Sequence, residues 1–259
     1  MLRLRLLAPI TLAVALSCAA VSRFNLIPVE QDAALGAQAY PELLAQDRQI
    51  TSGKDAAMVQ RVTERLVAAA QHFDSEISAR FEWEVRLVDK PDVVNAWCLP
   101  GGKMAVYTGI LPVTQTEAGL AVVMGHEIAH ATRRHGTRAM TRQMGANVIV
   151  QIAATLLFET ADAQQTAAAL GSYAAGFANL TFGRDAELEA DAVGLKYMAY
   201  AGYDPREAPR FWERMQSLSG GAQGPEWLST HPSHGRRIEQ IEELLPEALA
   251  VYAQSPGSK

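Results

Sequence analysis

The sequence predicts an α+β domain, mostly α, around one small β-sheet. Three observations carry that expectation. Hydrophobic residues make up 49% and charged residues 20% of the 259 positions, the balance of a chain with a core to bury rather than of a disordered or low-complexity one. Apolar residues recur at helical spacing through most of the chain, as in the stripe Val59, Val62, Leu66, Ala69 and Ala70. Period-two alternation and turn residues are confined to residues 80–108.

Residues 1–18 pair a basic start, Arg3 and Arg5, with an apolar run from Leu6 to Leu16. That run is too short to span a bilayer and has the form of a signal peptide for export. Ala15-Leu16-Ser17-Cys18 resembles a bacterial lipobox, although Leu is usual where Ala15 stands. The expectation is an exported periplasmic lipoprotein, tethered to the outer membrane through Cys18. Residues 19–250 are then a single domain and 251–259 a flexible C-terminal tail.

Residues 30–47 and 54–73 have helical patterning. Arg80 to Val88 alternates as a strand, with Phe81, Trp83, Val85 and Leu87 on one face, and Asp89-Lys90-Pro91-Asp92 is a turn. Asn95 to Cys98, Pro100-Gly101-Gly102 and Lys103 to Thr108 read as a hairpin of two short strands. Thr114 and Glu117 have capping-box spacing and predict a helix that reaches about Arg134. Residues 136–202 are almost all helix formers. The charge-free stretches between Arg142 and Glu159 and from Ala163 to Gly183 are short or polar for a membrane span. They are expected to form a core helical hairpin, with a membrane-touching or partner-binding surface as the alternative. Residues 204–219 and 234–250 close the chain as helices around a Gly/Pro-rich loop.

Composition also excludes several classes. Two Cys rule out a disulfide-stapled scaffold or a Cys-rich zinc finger. A net charge of −5 and a pI near 5.7 argue against a nucleic-acid partner, and a mean hydropathy of −0.02 against a multi-span membrane protein. His is scarce, with six residues, so their placement matters.

His126-Glu127-Ile128-Ala129-His130 lies inside the helix that begins near residue 114. On a helix, His126 and His130 are about 40° apart and one turn displaced, so both imidazoles can reach one ion. Glu127 sits on the adjoining flank, within reach of a water on that ion. A third ligand is needed. Arg133 and Gly136 stand where a metzincin has Gly and His, leaving His135 one residue out of register as an exposed helix-end residue. Ile149-Val150-Gln151 occupy the window of a thermolysin-like Glu. The next candidate is the face of Glu187 and Asp191, continued by Ala190 and Gly194, whose small side chains permit close approach to the metal helix. Glu189 points away, as on a solvated face.

With these motifs, and with Asn95-Ala96-Trp97-Cys98-Leu99-Pro100-Gly101-Gly102 followed by Val106 and Gly109, the chain resembles the zinc metallopeptidase family M48. That family includes the CAAX prenyl endopeptidase, HtpX and the OMA-type proteases. The resemblance covers about residues 30–240 and implies a gluzincin-type fold with an active-site helix bearing the HExxH motif. It implies one zinc ion held by His126, His130 and Glu187, with Glu127 as general base and Asp191 orienting a ligand His. It further implies that Lys103, Met104, Ala105, Val106 and Tyr107 form an edge strand pairing with extended substrate. His231, in Thr230-His231-Pro232, and Arg237 match a late family segment. There the His stabilises an oxyanion or plugs the open coordination site, and the Arg supports it. His72 and His234 read as ordinary helix residues.

The resulting expectation is a zinc metalloendopeptidase acting on unfolded or extended envelope proteins. The rival is an envelope quality-control or assembly factor whose protease activity is latent, plugged by His231.

Overall fold

The computed structural model describes residues 25, 27–143, 180–218, 225–231 and 236–256. The signal segment, Cys18, His234 and most of the expected 136–183 hairpin lie outside them. In chain order the elements are α1 (Asp32–Leu44), β1 (Gln49–Ile50), α2 (Lys54–Phe73), α3 (Ser75–Ser78), β2 (Glu84–Val88), β3 (Ala96–Cys98) and β4 (Lys103–Tyr107). They continue as α4 (Leu111–Thr114), α5 (Glu117–Thr132), α6 (His135–Gln143), α7 (Arg184–Tyr200), α8 (Glu207–Leu218), α9 (Glu226–Thr230) and α10 (Arg236–Ala253). The domain is mostly helical with one small mixed sheet, as the sequence predicts.

The sheet order is β1-β2-β4-β3. β1 pairs antiparallel with β2, β2 pairs parallel with β4, and β4 pairs antiparallel with β3. The predicted hairpin is therefore present. Its turn needs glycine: Gly101 and Gly102 have φ of 79° and 91°, and a Cβ on Gly101 would meet Ala33 Cα at 2.4 Å. The expectation that Lys103, Met104, Ala105, Val106 and Tyr107 form an edge strand fails. The parallel register from Glu84↔Lys103 to Val88↔Tyr107 fills the other side of β4, so β4 is an inner strand and, among the described residues, β3 is the edge. The Lys103 ammonium donates to Glu84 Oε2 at 3.2 Å across the parallel pair.

Alternate residues of β4 enter two apolar layers. Met104 and Val106 join Leu87, Ala96 and the α2 stripe Val59, Val62, Leu66, Ala69 and Ala70, which is buried as predicted. Ala105 joins Val88, Trp97 and the α1 residues Leu35, Ala39, Tyr40 and Leu44. Helices thus cover both faces of the sheet, and α5 packs in the first layer through Leu120, Val123, Met124 and Ile128. At the other end of the chain, α10 runs to Ala253, three residues into the expected tail. Val251 and Tyr252 pack on the core and Ser255 is buried, which extends the ordered domain there. Among the described residues no helix is long and apolar enough to cross a membrane.

Candidate metal centre

The site is built on α5. The predicted cap at Thr114 is displaced by two residues: Thr114 ends α4, Gln115 follows with φ 62°, and the Thr116 hydroxyl accepts the Gly119 N–H at 3.0 Å. Gly119 to Thr132 is buried throughout, so His126, Glu127 and His130 sit inside the protein and need partners there. α7 crosses α5 where two glycines meet. A Cβ on Gly194 would lie 2.8 Å from both Gly125 C and His126 N. This backbone contact brings Glu187 and Asp191 of α7 beside the two histidines.

Four side chains converge. His126 Nε2 lies 3.0 Å from His130 Nε2 and 3.2 Å from His231 Nδ1. Glu187 Oε1 lies 3.4 Å from His130 Nε2 and 3.1 Å from His231 Nδ1, and Glu187 Oε2 lies 3.5 Å from His126 Nε2. Ligand atoms bound to zinc at about 2.0–2.1 Å in a tetrahedron are separated by about 3.3 Å, so the spacing fits that ion. Three imidazole nitrogens and a carboxylate, all buried and within 4.8 Å of one another, form the donor set that zinc takes.

Each group has support behind it. Asp191 Oδ1 is 2.9 Å from His126 Nδ1. Arg237 donates to both Asp191 oxygens at 2.6 and 2.7 Å, pairs with Glu187 Oε2 at 2.7 Å, and stacks on Trp212 at 3.7 Å. Glu127 Oε1 accepts the Trp227 indole N–H at 2.7 Å and lies 3.4 Å from His231 Nε2. Burial pushes the Asp191 carboxyl up, but the Arg237 charge and the His126 bond hold it below its ordinary value. Burial likewise opposes ionisation of Glu187, yet His231, His126 and His130 keep it well below the carboxylate range. Burial disfavours a charged His126, but bonds to Asp191 and Glu187 outweigh this and raise it to about 9. His130 is held well below its ordinary value by burial and by the neighbouring His126 charge.

The structure thus brings together His126, Glu127, His130, Glu187, Asp191, His231 and Arg237. His135 departs from expectation. It is buried, 2% exposed, because Arg134 adopts φ 56° and the chain turns between α5 and α6. A helical wheel continued through Arg134 misplaces it. Trp227, Trp212 and Phe182 carried no motif signal. Phe182 lies over His130 with ring centroids 4.1 Å apart, and its N–H donates to Thr230 O at 3.2 Å. His72 is a surface residue stacked on Tyr200.

The wall of the site is β3. Ala96, Trp97 and Cys98 line the same cavity as Glu127, His130 and His231. Leu99 N–H donates to Lys103 O and Tyr107 N–H to Asn95 O. By antiparallel alternation the Trp97 backbone faces β4, and the polar backbone groups of Ala96 and Cys98 face away from it. Burial raises the Cys98 thiol, with Glu127 adding to the effect.

The sequence that carries this site is similar to that of known proteins. Peptidase family M48 matches residues 53–245. The mitochondrial metalloendopeptidase OMA1 of Schizosaccharomyces pombe is 35% identical over 231 residues, 87% of this chain and 64% of that protein. OMA1 of Arabidopsis thaliana is 38% identical over 189 residues, 72% of this chain and 36% of its own length. The beta-barrel assembly-enhancing protease of Escherichia coli is 33% identical over 169 residues, 63% of this chain and 35% of its own. The chain therefore spans between about a third and two thirds of the length of these relatives. Its zinc-fitting cluster lies inside the matched region, and the chain belongs to peptidase family M48.

Proposed function

We propose that this chain is a zinc-dependent endopeptidase that cuts unfolded or misassembled proteins of the cell envelope. The convergence of His126, His130 and Glu187 beside Glu127 carries the reading. In it, His126, His130 and Glu187 would hold the metal. Bound there, zinc would supply Lewis acidity for polarising a scissile carbonyl and easing deprotonation of water. Glu127 takes the proton of the attacking water and delivers it to the leaving amine. Its Oε1 is occupied by the Trp227 N–H, which leaves Oε2 for that proton. Asp191, held by Arg237, fixes His126 with Nε2 toward the metal. An extended substrate segment adds to the edge of β3 through the outward backbone groups of Cys98 and the Ala96 carbonyl, which any peptide can match regardless of side chain; the Ala96 N–H already donates to Asn95 Oδ1 at 2.8 Å.

Glu127→Gln tests the mechanism: it should retain zinc and lose cleavage of casein, and the wild type should lose cleavage with a chelator. Undiminished proteolysis by the variant overturns the assignment.

One observation favours a second reading, an assembly or quality-control factor with latent activity. His231 Nδ1 lies among the ligand atoms, where it would serve as a further ligand and keep substrate from the metal. His231→Ala separates the two. Faster proteolysis identifies a plug, and slower proteolysis a residue that stabilises the tetrahedral oxyanion.

Export and a lipid on Cys18, tethering the domain to the outer membrane, belong to this proposal. The form of residues 1–18 supports them, and mass spectrometry of the mature N-terminus tests them.

A further inference from the structure

We propose that His135 is a positioning residue for His130, and that it acts through a hydrogen-bond chain anchored on Glu189. The inference rests on the reading of the cluster as a zinc site.

His130 Nε2 faces the cluster, 3.0 Å from His126 Nε2 and 3.4 Å from Glu187 Oε1. To bind a cation there it must present a lone pair, so its proton sits on Nδ1. That buried N–H needs an acceptor. His135 Nδ1 lies 2.9 Å from it. His135 must then accept at Nδ1 and carry its own proton on Nε2. His135 Nε2 is 3.1 Å from Glu189 Oε2, and an ionised carboxylate only accepts. Every link has one donor and one acceptor, with both imidazoles neutral.

The opposite tautomer of His135 fails twice. Two N–H groups would face each other across 2.9 Å, and a bare ring nitrogen would face the carboxylate. Glu189 therefore sets the tautomer of His135, and His135 sets that of His130. The two ligand histidines are supported differently: His126 meets its carboxylate, Asp191, directly, whereas His130 reaches Glu189 through a second imidazole. Only the left-handed turn at Arg134 (φ 56°) makes this possible, by placing the first residue of α6 beneath His130.

The test uses wild type, His135→Phe, His135→Asn and Glu189→Ala, with zinc affinity read by competition against a chromogenic chelator. The cobalt(II) visible spectrum reports ligand geometry, and thermal unfolding in chelator reports the metal-free fold. His135→Phe keeps a ring but no acceptor, and should weaken zinc binding about 10–100-fold. His135→Asn places a carbonyl oxygen near the Nδ1 position and should recover most of that loss. Glu189→Ala, at a half-exposed position, should cost about threefold to tenfold with an unchanged metal-free melting temperature. If His135→Phe binds zinc as tightly as wild type, or His135→Asn is no better than His135→Phe, the inference falls. Should His135→Phe not fold, wild-type affinity in Glu189→Ala overturns it alone. Wild type that takes up no zinc sinks the metal-site reading and this inference with it. Wild type that binds normally alongside unaffected variants sinks this inference only.

Discussion

Gly194→Ala tests whether the α5–α7 crossing is what holds the site together. The added Cβ would stand 2.8 Å from Gly125 C, 2.8 Å from His126 N and 3.0 Å from Gly125 O. Carbon contacts settle at about 3.5–4.0 Å, so α7 must retreat by about 0.7–1.2 Å. No neighbouring side chain can rotate away, because every atom met is backbone. Overpacking of this kind costs about 1–3 kcal/mol, and the absence of a yielding side chain puts it near the upper end. Alanine regains about 1 kcal/mol of helix propensity over glycine. The net expectation is a loss of about 2 kcal/mol. Glu187 lies two turns up the same face of α7, so a retreat of this size takes its oxygens beyond the 3.4–3.5 Å they keep from His130 and His126. Zinc affinity should fall at least about tenfold as a ligand loses its place.

Urea unfolding in chelator measures the first effect and chelator competition the second. Gly125→Ala provides a cycle, since its Cβ would meet Gly194 O at 2.9 Å, the other side of the same contact. Once one substitution has opened the gap, the second should cost less than it does alone. A Gly194→Ala protein as stable as wild type, or two additive losses, would refute the close-approach argument.

Metal-free His126, at about 9, is protonated at neutral pH and must lose a proton to bind zinc. Calorimetry in buffers of different ionisation enthalpy should find about one proton released per zinc at pH 7.5, with affinity falling about tenfold per pH unit below about 9. Because the folded value exceeds the unfolded one, His126 stabilises the metal-free fold fully below about pH 6.5. It loses about 3 kcal/mol as pH rises through 9; a flat profile over that window contradicts the assignment. Arg237→Leu strands two buried carboxylates, Asp191 and Glu187, and should cost about 3–5 kcal/mol in chemical unfolding, whereas a loss under 1 kcal/mol would mean that Arg237 is not their counter-charge. Trp227→Phe removes the donor to Glu127, and casein turnover should drop about tenfold or more with zinc affinity unchanged. Equal turnover would show that the indole bond does not orient the base.

What the sequence disclosed and withheld follows the range of each interaction. The HExxH pair, the α2 stripe and the β3–β4 hairpin depend on residues a few positions apart, so spacing alone reveals them. Edge status does not: β4 is inner because β2, more than a dozen residues upstream, pairs with it in parallel, and the period-two pattern of β4 is the same with or without that neighbour. His135 was lost to one backbone angle. With Arg134 in the left-handed region, the hundred-degree rule ceases to apply one residue before the histidine it was used to place. The Trp227–Glu127 bond spans 100 residues and leaves no local trace. The α5–α7 crossing shows when a long-range contact does become legible. A close approach demands missing side chains, and Ala190 and Gly194 beside Glu187 and Asp191 are such a demand written into one helix. A charged pair flanked by small residues thus points to a partner backbone, whereas a charged residue flanked by large ones, as Arg237 is by Ile238, gives no comparable sign even when it is buried as completely.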